Sequence, residues 1–233
     1  MSFLEALANL IFPVGDECVL CGMPLRRDRG SGPLIEGMCG ECIGSMRGGW
    51  TPSCAGGVPH TIPHVSRVIA VGPFEGRLRE AILRFKFGGE RVLARPLGAL
   101  MALAVRFEGP YDVIAPVPLH PRRQLERGFN QSHLLAAAVG ARICVPVDGG
   151  KLRRVQETAA QSELGKCERT KNVEGAFATI HKGAFARKRV LLVDDVLTTG
   201  STVSECSRVL IADGAWSVDV LVAAVAHPGG GDA

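Results

Sequence analysis

The sequence predicts an α/β protein, a parallel sheet flanked by helices, with a small cysteine-rich module at its N-terminal end. Two patterns carry this expectation. Short apolar runs at 67–71, 112–117, 143–147, 189–193 and 216–226 alternate with stretches of helical periodicity, as repeated strand–helix units do. Five of the eight cysteines fall within the first 54 residues, where Cys18, Cys21, Cys39 and Cys42 read C-x2-C-x17-C-x2-C. With 46% hydrophobic and 21% charged residues over 233 positions, the chain is long and apolar enough to fold around a core, which excludes a largely disordered protein. No window reaches the ~18–20 apolar residues of a membrane span, so no membrane insertion is expected.

Taken in order, residues 2–12 place Phe3, Leu4, Leu7, Leu10 and Ile11 at helical spacing and stop at Pro13. The stretch has no basic n-region and Glu5 interrupts it, so it reads as a helix rather than a secretory leader. Residues 48–64 are rich in Gly, Pro, Ser and Thr and read as a linker, which divides the chain into a module over 1–60 and an α/β domain over 61–233. Leu78, Ile82, Leu83 and Phe85 predict a helix that ends near Gly88 and Gly89. Residues 92–105 are helical in period, with Pro96 near the start. The run 112–117 is a buried parallel strand, 128–140 a helix and 143–147 a second short strand. Residues 151–172 are polar and read as a loop leading into a helix. The strongest strand is 189–193, followed by a helix over 202–212 ending at Gly214, and a last strand over 216–226.

Two C-x2-C knuckles bring four thiolates within tetrahedral reach of one ion, the donor set of a structural Zn2+ site. Gly22 and Gly40 are placed to permit the tight turns of each knuckle. Disulfides are the alternative; without a secretory leader, a reducing cytoplasm and zinc are the expectation. Cys54, Cys144, Cys167 and Cys206 lie outside the spacing and read as spare thiols, while His60 and His64 are alternative ligands the four cysteines make unnecessary.

Charge is uneven: residues 1–60 carry −2 and residues 61–233 carry +6, for a total of +4. Aromatic residues are 5%, with two Trp and one Tyr, which disfavours a base-stacking surface for single-stranded nucleic acid. The chemistry concentrates at 190–202, VLLVDDVLTTGST. A buried strand delivers two carboxylates, Asp194 and Asp195, to its tip, and a short loop of hydroxyls and glycine leads into a helix. The backbone N–H groups and the positive end of the helix suit a phosphate, and the carboxylates suit vicinal sugar hydroxyls. In an open parallel sheet, ligands sit at the carboxyl ends of the strands. An acidic strand end of the Walker B kind is the competing reading, but the sequence contains no G-x-x-x-x-G-K-[ST] partner.

The string VLLVDDVLTTGST resembles the 5-phosphoribosyl-1-pyrophosphate (PRPP) signature of type I phosphoribosyltransferases. Together with the four cysteines, the block PVPLHPRRQLERGFNQ at 116–131, and an ordered set of Arg154, Thr158, Gln161, Arg169, Asn172 and Gly175-Ala176-Phe177, it is similar to the ComF family of competence-associated phosphoribosyltransferase-like proteins. The resemblance spans residues 18–225. It implies a type I phosphoribosyltransferase fold with an N-terminal zinc module, and a phosphoribosyl transfer from PRPP with Mg2+ to an acceptor the sequence does not name. By that resemblance Val193, Asp194 and Asp195 meet the ribose, and Thr198, Thr199, Gly200, Ser201 and Thr202 its 5-phosphate. Arg122, Arg123 and Arg127 are the candidate pyrophosphate ligands, with Arg127, Asp194 and Asp195 as the catalytic set; a solvated helix surface is the other reading of these arginines. Residues 154–172 correspond to a flexible catalytic loop and 65–105 to an acceptor-binding hood. Lys86 either reaches the anion site or snorkels. The resemblance also points to DNA uptake in the cytoplasm, with single-stranded DNA or a protein of the uptake machinery as partner, and to a non-catalytic PRPP-sensing or DNA-handling module as the alternative.

Overall fold

The computed structural model describes residues 17–25, 35, 37–47, 61–105, 108–156 and 173–226. The helix expected over 2–12, the linker residues 48–60 with Cys54 and His60, the loop residues 157–172 with Cys167, and the side chain of Arg127 lie outside this set.

The elements are α1 (Gly40–Arg47), β1 (Arg67–Pro73), α2 (Gly76–Phe87), a single 3-10 turn (Arg91–Leu93), α3 (Ala94–Val105), β2 (Val113–Pro116), α4 (Pro121–Arg127), α5 (Gln131–Ile143), β3 (Leu152–Arg154), β4 (Phe177–Thr179), β5 (Arg189–Leu197), α6 (Ser201–Ala212) and β6 (Ser217–Val225). Four strands form one parallel sheet in the order β1-β6-β5-β2, and β3 pairs antiparallel with β4 in a separate ribbon. The expected parallel sheet flanked by helices is therefore present. Val190, Leu191, Leu192 and Val193 of β5 are all fully buried, because helices cover both faces and a covered strand must be apolar throughout. One core layer sets Leu191, Val193 and Leu221 against α2, α3 and α5; the other sets Val190, Leu192 and Val220 against α6 and the ribbon. Gly98 allows α3 and α5 to touch: a Cβ there would stand 2.4 Å from that of Ala138.

Several boundaries differ from the sequence expectation. The short strand at 143–147 does not form: Ile143 closes α5, Cys144 caps it with φ 58°, and only Val147 makes a parallel bridge, to Ile114. The helix expected over 128–140 is α5, which starts later, at Gln131, and runs to Ile143; a separate short helix not expected from the sequence, α4, precedes it and ends at Gly128, which lies in the left-handed region at φ 74°. The loop expected from 151 opens instead with β3. Within 65–105, the span expected as a hood, β1 is an edge strand of the main sheet and α3 lies in its core layer. The cysteine-rich segment also rests on this layer, since Ile35, Met38, Ile43 and Met46 join the same cluster as Ile69, Val71 and Leu78.

Candidate functional site

The carboxyl ends of β2, β5 and β6 open into one cavity of about 550 Å3. Val117 and Pro118 line it after β2, Asp194 to Leu197 on β5, Thr198 to Val203 on the loop and first turn of α6, and Ala226 after β6. β5 does not stop at the two aspartates: Asp194 pairs with Val222 and Leu197 with Val225, so the carboxylates sit on hydrogen-bonded strand. That fixes their backbone more firmly than a loop would.

Asp194 Oδ1 accepts from Ser132 Oγ at 2.8 Å and from the Asp195 N–H at 2.9 Å. Burial, followed by the neighbouring charge of Asp195, pushes the Asp194 carboxyl up to about 7. Asp195 is buried and lies 3.0 Å (Oδ1) and 2.9 Å (Oδ2) from Lys86 Nζ. Ser132 is placed by the start of α5. Asn130 caps that helix by accepting from the Ser132 N–H at 3.0 Å, and its own Nδ2 donates to the Val117 carbonyl at 3.1 Å. The sequence Gly-Phe-Asn-Gln at 128–131 thus ties the end of β2 to α5 and aims Ser132 at Asp194.

The loop after β5 is shaped by Gly200, whose φ of 80° suits glycine, and a Cβ there would meet Ile62 Cδ1 at 2.9 Å. Thr199 Oγ1 and Ser201 Oγ lie 3.0 Å apart, both facing the mouth of the 12-residue helix α6. Backbone and hydroxyl donors at a helix start form an anion cradle.

Of the expected site residues, the structure gathers Asp194, Asp195, Thr198, Thr199, Gly200, Ser201, Thr202 and Arg123 around this one cavity. Val193 is not among them. It alternates into the core, and its carbonyl accepts from the Val117 N–H at 2.9 Å. Arg122 is exposed on α4 and does not line the cavity. Lys86, for which the sequence left reaching the anion site or snorkelling open, lines the cavity, as do Asn130, Gln131 and Arg154 of the motif blocks; Ser132, Phe74, Leu83, Phe87 and Leu119 line it without having been expected there. Arg154 stands over Phe177 at 5.4 Å, and burial followed by the charge of Arg123 holds its guanidinium below the ordinary value. Two guanidiniums close enough to oppose each other's charge are a receptor for an anion with several oxygens.

The four cysteines converge as their spacing predicts, with their Sγ atoms all within 4.8 Å of one another. Glu17 and Pro24 bridge the first knuckle, and Gly22 turns it at φ 70°. The second knuckle is built differently from the expectation: Gly40 is the first residue of α1, so the helix, not a glycine turn, presents Cys42. The Cys39 N–H points at Cys18 Sγ at 3.4 Å, and Arg77 donates to Cys42 Sγ at 2.7 Å. Burial raises the Cys18 thiol, but hydrogen bonds from backbone N–H groups of Cys39, Cys21 and Leu20 outweigh it and bring the pKa to about 6. Burial pushes the Cys39 and Cys42 thiols up, so without an ion only Cys18 is held toward thiolate; four sulfurs at this separation fit a tetrahedral metal ion such as zinc.

Competence protein F of Haemophilus influenzae is 34% identical over 190 residues, 78% of this chain and 82% of that protein. The chain belongs to the competence protein F family. The DNA utilization protein YhgH of Escherichia coli is 32% identical over 223 residues, covering 87% of this chain and 94% of its own length. Competence protein ComFC of Streptococcus pneumoniae is 28% identical over 149 residues, 64% of each chain. This is the ComF family that the cysteine, RGFNQ and DDVLTTGST blocks resemble. No family model matches the chain. Among solved structures, similarity extends to TT1426 from Thermus thermophilus (TM-score 0.38, 20% identity, 60% of this chain and 86% of that one) and to the glutamine PRPP amidotransferase of B. subtilis (TM-score 0.37, 22% identity, 55% and 25%).

Proposed function

We propose that this member of the family binds PRPP in the cavity at the tip of β5 and transfers its phosphoribosyl group to an acceptor, releasing pyrophosphate. The observation that carries the reading is the placement of Asp194 and Asp195 beside the Thr198–Gly200 loop and the start of α6, within one cavity of about 550 Å3 that Arg123 and Arg154 also line. In this reading the carboxylates accept from the ribose hydroxyls. Thr199, Ser201 and the N–H groups at the start of α6 hold the 5-phosphate, and Arg123 and Arg154 face the pyrophosphate, where fixed cations stabilise the charge that grows as the C1–O bond breaks. Arg127 belongs to the same helix and is proposed for the same role. The oxygen-rich cavity fits a Mg2+ that arrives chelated by the ligand's phosphates, and when bound that ion adds charge neutralisation at the leaving group. The zinc module, over 1–60, is proposed to be structural, with its net negative charge suited to a protein contact rather than to DNA.

The names of the relatives, competence protein F and DNA utilization protein YhgH, support a place in DNA uptake and use. They also support a second reading, in which the same pocket senses PRPP without turning it over and the basic face of the larger domain handles single-stranded DNA. Pyrophosphate release from PRPP and Mg2+, measured across a panel of nucleobase and amine acceptors, separates the two. Release with at least one acceptor supports the transferase; no release with any favours the binding module.

A further inference from the structure

In the structure Asp195 is already paired within the cavity. Its Oδ1 accepts from the Val196 N–H at 2.7 Å and from Lys86 Nζ at 3.0 Å, and its Oδ2 lies 2.9 Å from the same ammonium. Asp194 is held differently, by the neutral Ser132 hydroxyl and the Asp195 N–H. The two carboxylates at the strand tip are therefore unequal, one matched to a cation and one not. A sugar diol that reaches for both competes with the ammonium for Asp195. A neutral hydroxyl is the weaker donor of the two, because hydrogen bonds from charged donors are roughly twice as strong. A diol alone gains little from that exchange. A diol attached to a second anion gains more, since the displaced ammonium then has a new partner beside it.

The backbone around Lys86 is held by its neighbours. Arg84, two residues earlier on α2, donates to the carbonyls of Val19 and Leu20 at 2.9 and 3.4 Å, and pairs with Glu90 at 2.6 Å. Phe85 is fully buried against the ring of Phe129. Gln131 Nε2 donates to the Lys86 carbonyl at 3.4 Å. From this fixed point a four-carbon stem carries three rotatable donors into the cavity. Arg123 and Arg154, which also line it, mark the side where an anion is received.

We propose that Lys86 is a specificity residue of this pocket, which holds Asp195 until a ligand brings an anion next to its diol and then passes to that anion. The pocket thereby favours a ribose 5-phosphate that carries a diphosphate at C1 over ribose 5-phosphate alone. This rests on the sugar-phosphate reading above and adds to it the residue that sets the preference.

The test is calorimetric titration of the full chain with PRPP plus Mg2+, and separately with ribose 5-phosphate, for wild type and Lys86→Met. The expected result is about a tenfold weaker affinity for PRPP in the variant, the loss of one charge-assisted contact, with ribose 5-phosphate binding unchanged or tighter. Lys86→Gln, which keeps a donor near Asp195 but removes the charge, is expected to give the same split and serves if the Met variant does not fold. Unchanged PRPP affinity, or equal weakening of both ligands as a purely structural ion pair would produce, overturns the proposal. Failure of the wild type to bind either ligand would overturn the sugar-phosphate reading itself.

Discussion

Asp194 and Asp195 are neighbours in sequence with opposite surroundings. Asp195 faces an ammonium; Asp194 is half-buried beside a carboxylate and pushed up to about 7. The folded chain therefore holds a proton on Asp194 that the unfolded chain has released, between the ordinary aspartate value of about 4 and about 7. Stability contributed by this group falls as pH rises through that window, because the native state binds more protons there than the unfolded state does. Asp194→Asn is expected to melt above wild type at pH 8, with the difference closing by pH 5, and to lose PRPP binding at both. Differential scanning calorimetry across that range checks the sign; a variant that melts below wild type at pH 8 contradicts it. The aspartates and the TTGST loop were legible in the sequence because chemistry and order coincide in one string. Gln131 and Arg154 stood in the motif blocks without a stated role in the cavity, and Ser132 was not legible, since it reaches Asp194 from a distant part of the chain. Asn130 did carry a signal, a cap residue just before an apolar periodic run, and following it would have shown where α5 starts and which side chain comes next.

At the scale of elements, α2 spans the distance between the two sites. Arg77 in its first turn donates to Cys42 Sγ, Arg84 grips the carbonyls of Val19 and Leu20 within the first knuckle, and Lys86 in its last turn meets Asp195. Its apolar stripe was legible as Leu78, Ile82 and Phe85; its polar partners were not, because arginine contacts depend on tertiary placement. The strand expected at 143–147 failed for a related reason. A β-branched apolar run there serves to cover Gly140 and Ile114 from a turn, and periodicity cannot tell packing in a turn from pairing in a sheet. The cysteine cluster predicts one zinc per chain, released by a strong chelator or by Cys39→Ser. Because Ile43 and Met46 share the core layer with Ile69 and Leu78, metal loss is expected to lower the melting temperature while far-UV circular dichroism keeps most of its signal. Freshly purified protein without bound metal would contradict the site.

At the scale of the molecule, one sheet with two covered faces leaves a single crowded end where β2, β5 and β6 finish together, and the cavity lies there. The parallel sheet was legible in the alternation of apolar runs and helical stretches. Its order, β1-β6-β5-β2, was not, because strand neighbours are set by how helices cross the sheet rather than by sequence position. The same crossing explains why β1 became an edge strand. Of the 23 basic residues in 61–233, Lys86, Arg123 and Arg154 line the cavity together with the two carboxylates. The central claim is that this cavity takes PRPP, and thermal melting with and without millimolar PRPP and Mg2+ tests it most directly. A ligand at a hundredfold its dissociation constant stabilises by about 2.7 kcal/mol, which for a chain of this size raises the melting temperature by about 5 °C or more. The account predicts that rise in the wild type and its absence in the Asp194→Asn/Asp195→Asn double variant; an unchanged wild-type melting temperature would contradict it.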